Sequence, residues 1–80
     1  MKPGDLVHLS YPFKNHINLY EGDMIGDDGF RENGHKLRNG ETALILKTLN
    51  GIKEHTVYHF ILAPRNSTGW IHEFHLRAVE

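Results

Sequence analysis

The sequence predicts an all-β fold: a small five-stranded barrel, with a long loop between strands 1 and 2 and a 3₁₀ turn before the last strand. Three observations carry this expectation. Short segments alternate apolar and polar residues with the period of two that a half-buried strand requires. Glycine, proline and asparagine punctuate those segments at short intervals. No stretch of about ten residues keeps the apolar spacing of an amphipathic helix.

The first strand is expected over Asp5–Tyr11, introduced by Pro3-Gly4 and stopped by Pro12, which removes the next ladder donor. The second spans Glu41–Leu49 and the third His55–Leu62. Between them Asn50-Gly51 tolerates the positive φ angles of a tight hairpin, so these two strands should pair antiparallel. Ala63-Pro64-Arg65-Asn66-Ser67 forms the next turn, because proline presets φ and Asn and Ser bond back to the backbone. A short strand follows at Thr68–Ile71. Glu73–His75 is too short for an α-helix but fits one 3₁₀ turn, and Leu76–Val79 closes the barrel. The expected core is Val7, Leu9, Leu44, Leu46, Tyr58, Phe60, Leu62, Trp70, Phe74, Leu76 and Val79. Trp70 is its expected centre, since burying it removes the most apolar area, and Trp70→Ala is expected to unfold the domain.

Residues 12–40 keep no period of two or 3.6 and hold five of the eight glycines. Loops of this length in compact domains are usually functional or disordered. Leu19, Tyr20, Met24, Ile25 and Phe30 give this one more apolar mass than a free loop should show to water. The stretch is therefore read as a poorly paired hairpin across the barrel mouth, with Asp27-Asp28-Gly29 or Asn33-Gly34 at its tip.

The 80 residues make a single domain, 1–80. A chain of this size buries only about 60% of its unfolded surface, so its core is small. With no cysteine, neither a disulfide nor a thiolate zinc site can staple it. No apolar run approaches the roughly 20 residues that span a bilayer, and MKPGDLVHLS lacks the apolar stretch of a signal peptide. The expectation is a soluble chain in the cytoplasm. Nine Lys and Arg stand singly against ten Asp and Glu, for a formal charge of −1. A phosphate-binding surface needs clustered positive charge, so nucleic acid is the second choice of partner and not the first.

Seven histidines raise the question of a metal. His72-Glu73-Phe74-His75 brackets a glutamate with two histidines, but zincins place their pair four apart on a helix. Here the spacing is three and the preceding segment reads as a strand. His55, His59, His72 and His75 are the weak candidates for a metal site, set against the simpler reading that the histidines lie on the surface while Phe74 and Leu76 point inward. Asp23, Asp27 and Asp28 lack the spacing of a calcium loop. No serine or threonine stands in a strained nucleophile elbow, so no catalytic residue is assigned, no cofactor is expected, and the chain is read as non-enzymatic.

The order of parts resembles the Src-homology-3-like barrel. Lys2-Pro3-Gly4-Asp5-Leu6-Val7 resembles the "x-x-G-D-x-V" opening of many such barrels. Gly40-Glu41-Thr42-Ala43-Leu44-Ile45-Leu46 resembles their second strand. Gly69-Trp70-Ile71-His72-Glu73-Phe74-His75-Leu76-Arg77-Ala78-Val79 resembles their closing "G-W-V-x-x-x-x-L-x-x-V". The "A-L-Y-D-Y" motif and the closing proline-tyrosine pair of the peptide-binding members are absent, which removes the implication of proline-rich ligands. The nearer resemblance is to small barrels encoded by tailed bacteriophages, which implies a virion part or an adaptor in the host cytoplasm. The expected function is thus a protein-binding or structural module. Its expected contact residues are Leu19, Tyr20, Met24, Ile25 and Phe30, with an open strand edge beside them. The expected partner is another protein or a second copy, and the alternative is a nucleic-acid-binding accessory protein.

Overall fold

A computed structural model of the chain describes residues 1–10, 15–21, 31–50 and 57–79. The strands are β1 (Leu6–Leu9), β2 (His16–Glu21), β3 (Arg31–Arg38), β4 (Thr42–Asn50), β5 (Val57–Ala63), β6 (Ser67–His72) and β7 (Leu76–Ala78). A tight turn at Pro64–Asn66, with Arg65 and Asn66 at positive φ, and a one-turn 3₁₀ helix at Glu73–His75 flank β6. The strands form a single sheet in the order β3-β2-β6-β5-β4-β1-β7. Each neighbouring pair is antiparallel, and the sheet is not closed.

The all-β expectation therefore holds, and the count of five strands is corrected to seven among the described residues. The two additional strands lie in residues 12–40 and pair antiparallel, as the expected poorly paired hairpin. Their pairing is offset: Asn18 opposes Lys36 while Tyr20 opposes Glu32, so β3 places three residues where β2 places one. Gly34, at φ 84°, supplies the left-handed conformation that this bulge needs. Asn33 Oδ1 accepts the His35 N–H at 2.8 Å across it. Asn33-Gly34 thus bends a strand and does not tip a hairpin. The alternative tip, Asp27-Asp28-Gly29, lies outside the described residues, as do Gly51 and Tyr11.

Local chemistry sets the remaining turns. At Lys2–Asp5, Pro3 and positive-φ Gly4 form a turn closed by the Asp5 N–H to Lys2 O bond of 3.1 Å. Glu41 clamps the turn between β5 and β6: Arg65 Nη1 and Nη2 donate to its two carboxylate oxygens at 2.9 and 3.1 Å. That fork holds Arg65 at φ 64°, an uncommon conformation for a side-chain-bearing residue.

The core lies on one face of the sheet: Val7, Leu9, Leu19, Leu37, Ala43, Ile45, Ile61, Ala63, Ile71 and Leu76. Val7, Leu9 and Leu76 match the expected core. Leu44, Tyr58, Phe60 and Trp70 are only half-buried, and Leu46, Leu62, Phe74 and Val79 are exposed, Phe74 at 74%. The expectation is corrected by one residue of parity along β4, β5 and β6. Strand side chains alternate faces, so a one-residue error moves the whole set to the other side. In β4 a bulge at Leu46 adds to the effect: Ile45 opposes Ile61 but Lys47 opposes Phe60.

Gly69 shows why the inner face of β6 drops to a glycine where β2 crosses it. Its backbone passes directly under β2, and a Cβ there would stand 2.5 Å from Leu19 Cβ and 3.2 Å from Tyr20 O. A glycine lets the β2–β3 hairpin fold down onto β6. Asn33 Nδ2 then donates to Thr68 O at 2.7 Å.

Candidate docking surface

The outer face of the sheet is the face a sheet with one solvated side usually makes polar, and here its centre is apolar and aromatic. Directly opposed residues of antiparallel strands share a face, so the register defines three rows. The central row runs Glu32, Tyr20, Trp70, Phe60, Lys47 across β3, β2, β6, β5 and β4. On one side lie Thr68, Leu62, Leu44 and Leu6, and on the other His72, Tyr58 and Leu49. Within the central row the Phe60 and Trp70 rings stand 5.3 Å apart and tilted by 59°. Lys47 Nζ sits 5.9 Å from the Phe60 centroid, within cation–π reach.

Exposure of this face is appreciable: Leu6 51%, Leu46 39%, Tyr20 37% and Leu62 37%. Beside the central row a cleft of about 340 Å³ opens among Ile17, Tyr20, Tyr58, Trp70, His72 and His75. Aromatic side chains with one apolar body and one polar tip are the groups that protein interfaces use most.

The HEFH stretch has a different role from the one its spacing suggested. His72 Nδ1 accepts the Phe74 N–H at 3.0 Å and so caps the second 3₁₀ turn. Its ring meets Tyr58 edge-on at 5.2 Å. The His72 and His75 rings lie 6.1 Å apart. Burial, and then the charge of His72, hold the His75 pKa below its ordinary 6.5. Phe74 points to solvent, correcting the expectation that it turns inward with Leu76. Glu73 reaches back beneath the sheet to His59.

Among the described residues His59 is the buried polar residue of the core, at 0% exposure. Its Nδ1 lies 2.8 Å from Thr48 Oγ1 and its Nε2 3.0 Å from Glu73 Oε1. A carboxylate only accepts, so Nε2–H donates to Glu73; in the neutral imidazole Nδ1 then accepts from the Thr48 hydroxyl. The Thr48–His59–Glu73 chain has the connectivity of a nucleophile, base and acid. Its imidazole is sealed inside the fold, and the chain ties β4, β5 and the 3₁₀ corner together. Nothing in the sequence linked Thr48 to His59. Their pairing depends on the bulge at Leu46, which brings Thr48 onto the inner face.

Of the expected metal candidates, His72 and His75 come together, His59 is turned away to Thr48 and Glu73, and His55 lies outside the described residues. No group of three or more His, Asp or Glu side chains converges among the described residues. Of the expected contact residues, Leu19 is wholly buried in the core and Tyr20 stands on the outer face. Met24, Ile25 and Phe30 lie outside the described residues. Sequence reasoning missed Trp70, Phe60, Tyr58 and Leu62 as surface groups because it assigned them to the core. No helix of the described chain is long and apolar enough to cross a membrane.

No family model, curated protein or solved structure matches this chain.

Proposed function

We propose that the chain is a non-catalytic protein-binding module that docks its partner on the outer face of the sheet. The observation that carries this reading is the half-exposed apolar surface centred on Tyr20, Trp70, Phe60 and Leu62. Contiguous apolar surface of this kind on a small domain marks an interaction site, because leaving it in water is costly. The β2–β3 hairpin contributes to the same surface through Tyr20. The free edges of the sheet are less suited to strand addition: β3 carries Arg31, Glu32, Lys36 and Arg38, and β7 has only three residues.

The order of elements supports the finer reading of a Src-homology-3-like barrel. A strand is followed by a hairpin, three further strands, a 3₁₀ turn and a last short strand. On that resemblance the module serves as an adaptor or virion component of a tailed bacteriophage, in the host cytoplasm or the particle.

A photo-cross-linking residue at Leu62, compared with one at Arg31 beyond that face, tests the docking surface. In the cell that makes the protein, the probe at Leu62 should capture a protein that the probe at Arg31 does not, and Tyr20→Ala should reduce the capture. Equal capture from both positions would refute the assignment.

The aromatic row favours one second reading. Three rings with a flanking lysine are also what a single strand of nucleic acid uses for base stacking. Titration with a fluorescent single-stranded oligonucleotide at 50 and 200 mM salt separates the two: steeply salt-dependent binding belongs to nucleic acid.

A further inference from the structure

We infer that the cleft beside Trp70 binds a quaternary ammonium group, a nitrogen that bears carbon substituents only. The inference goes beyond the docking reading, since it stands on the cleft alone. Among the described residues β2 meets β6 at one residue pair, Tyr20 opposite Trp70. Ile17 precedes Tyr20 in β2, while Ile71 and His72 follow Trp70 in β6. The strands run antiparallel, so these residues lie at the same end of the pair, and there the cleft of about 340 Å³ opens. Tyr58 of β5 and His75 of the 3₁₀ turn complete its lining. The volume falls within the range of small-molecule sites.

The chemistry of the lining selects the occupant. Five of the seven lining residues are aromatic: Tyr20, Tyr58, Trp70, His72 and His75. Among the described residues no Asp, Glu, Lys or Arg lines the cleft. An anion therefore finds no guanidinium or ammonium there, and burial holds the His75 pKa below 6.5, which keeps that imidazole neutral at neutral pH. A primary ammonium would give up its hydrogen bonds to water without meeting a carboxylate. A quaternary ammonium has no N–H to satisfy, and its charge is attracted to ring faces, those of Trp and Tyr among them. The ring planes select shape. Tyr58 and His72 are inclined by 78°, and His72 and His75 by 63°. A flat base stacks face to face on a ring platform, whereas a tetrahedral group of methyls meets walls inclined to one another.

Trp70 is the single tryptophan of the chain, so its emission reports on the cleft. Titration of the full chain at about pH 8, where imidazoles are ordinarily neutral, compares choline with its neutral tert-butyl isostere, which has carbon in place of nitrogen. Choline should bind saturably, and about fivefold or more tightly than the isostere. Tyr58→Leu keeps apolar bulk and removes a ring. It should weaken choline by about fivefold and leave the isostere nearly unchanged, while Tyr58→Phe should retain choline. Tyr20→Leu repeats the test from another strand, and unchanged melting temperatures confirm that the variants are folded. An isostere that binds as tightly as choline overturns the inference. So does a choline titration without saturation, or folded Tyr58→Leu and Tyr20→Leu variants that bind choline as the native chain does. A peptide carrying trimethyl-lysine, set against the same peptide with lysine, locates the source of the group. Preference for the trimethyl form, tighter than choline, assigns it to a docked protein; binding no tighter than choline assigns it to a free small molecule. Capture at the Leu62 probe without choline binding removes the ammonium site and leaves the docking surface standing, and choline binding without capture does the reverse.

Discussion

At the scale of single residues, two glycines show different reasons for lacking a side chain. At Gly69 the constraint is space: a Cβ would meet Leu19 Cβ at 2.5 Å and Asn33 Nδ2 at 2.9 Å. At Gly34 nothing lies within 4 Å of the added atom, and the constraint is the φ of 84°. Gly69→Ala is therefore expected to cost about 1–3 kcal/mol through overpacking, and Gly69→Asn more. Gly34→Ala should cost about 1–2 kcal/mol through backbone strain, while Gly34→Asn should recover much of it, since asparagine visits the left-handed region readily. Urea denaturation of the four variants checks the contrast. His59 gives a third expectation. Glu73→Ala leaves the sealed imidazole without its Nε2 partner and should cost about 1–3 kcal/mol by the same measurement. Acid titrates two groups in separate windows. The folded His75 has a pKa below 6.5, so below that pH the unfolded chain binds the proton first and stability falls. The Arg65 guanidinium and then the Arg38 N–H hold Glu41 below its ordinary 4.5, so its contribution is present above 4.5 and disappears as pH falls through the lowered value. In thermal melts across pH, His75→Gln should flatten the first decline and Glu41→Gln the second.

At the scale of elements, the turns and short strands were legible because their chemistry is local. Pro3-Gly4 opens β1, Pro64 starts the tight turn into β6, and Glu73–His75 forms the closing 3₁₀ turn. The facing of β4 and β5 was not legible, since both faces of TALILKTLN and VYHFILA are apolar. Size then misleads: Tyr58, Phe60 and Leu62 outweigh His59, Ile61 and Ala63, yet the smaller set is buried. The inner face lies under a hairpin that crosses at Gly69, where bulk does not fit. The only sequence signal for this was the small residues themselves, Ala43, Ala63 and Gly69, lying in one parity class. The same bulges that re-aim Thr48 and Asn33 also erase the period of two that would have revealed β2 and β3. Trp70 shows the consequence. Its ring is half-buried outside the core, so Trp70→Ala should leave a cooperatively folding domain, whereas Ile71→Ala, one residue on, should cost about 2–5 kcal/mol.

At the scale of the whole molecule, one sheet of seven strands holds its core on one face and a second apolar surface on the other. The candidate site was legible only as composition: an excess of large apolar groups for so small a chain. Its place differs from the expectation, which puts it on residues 12–40 and an open strand edge. The stretch contributes Tyr20, while Leu19 serves the core. What distinguishes a docking face from a core face here is register, a property of long-range pairing that no local segment encodes. Which face is buried therefore decides where a partner can dock, and two adjacent residues of β5 distinguish the faces. Urea denaturation, followed by circular dichroism, should find Ile61→Glu unfolded, because it places a charge in the core at a site of 0% exposure. Leu62→Glu should fold cooperatively, with a midpoint close to that of the native chain. A folded Ile61→Glu beside an unfolded Leu62→Glu would contradict the account, since the outer face would then be the core.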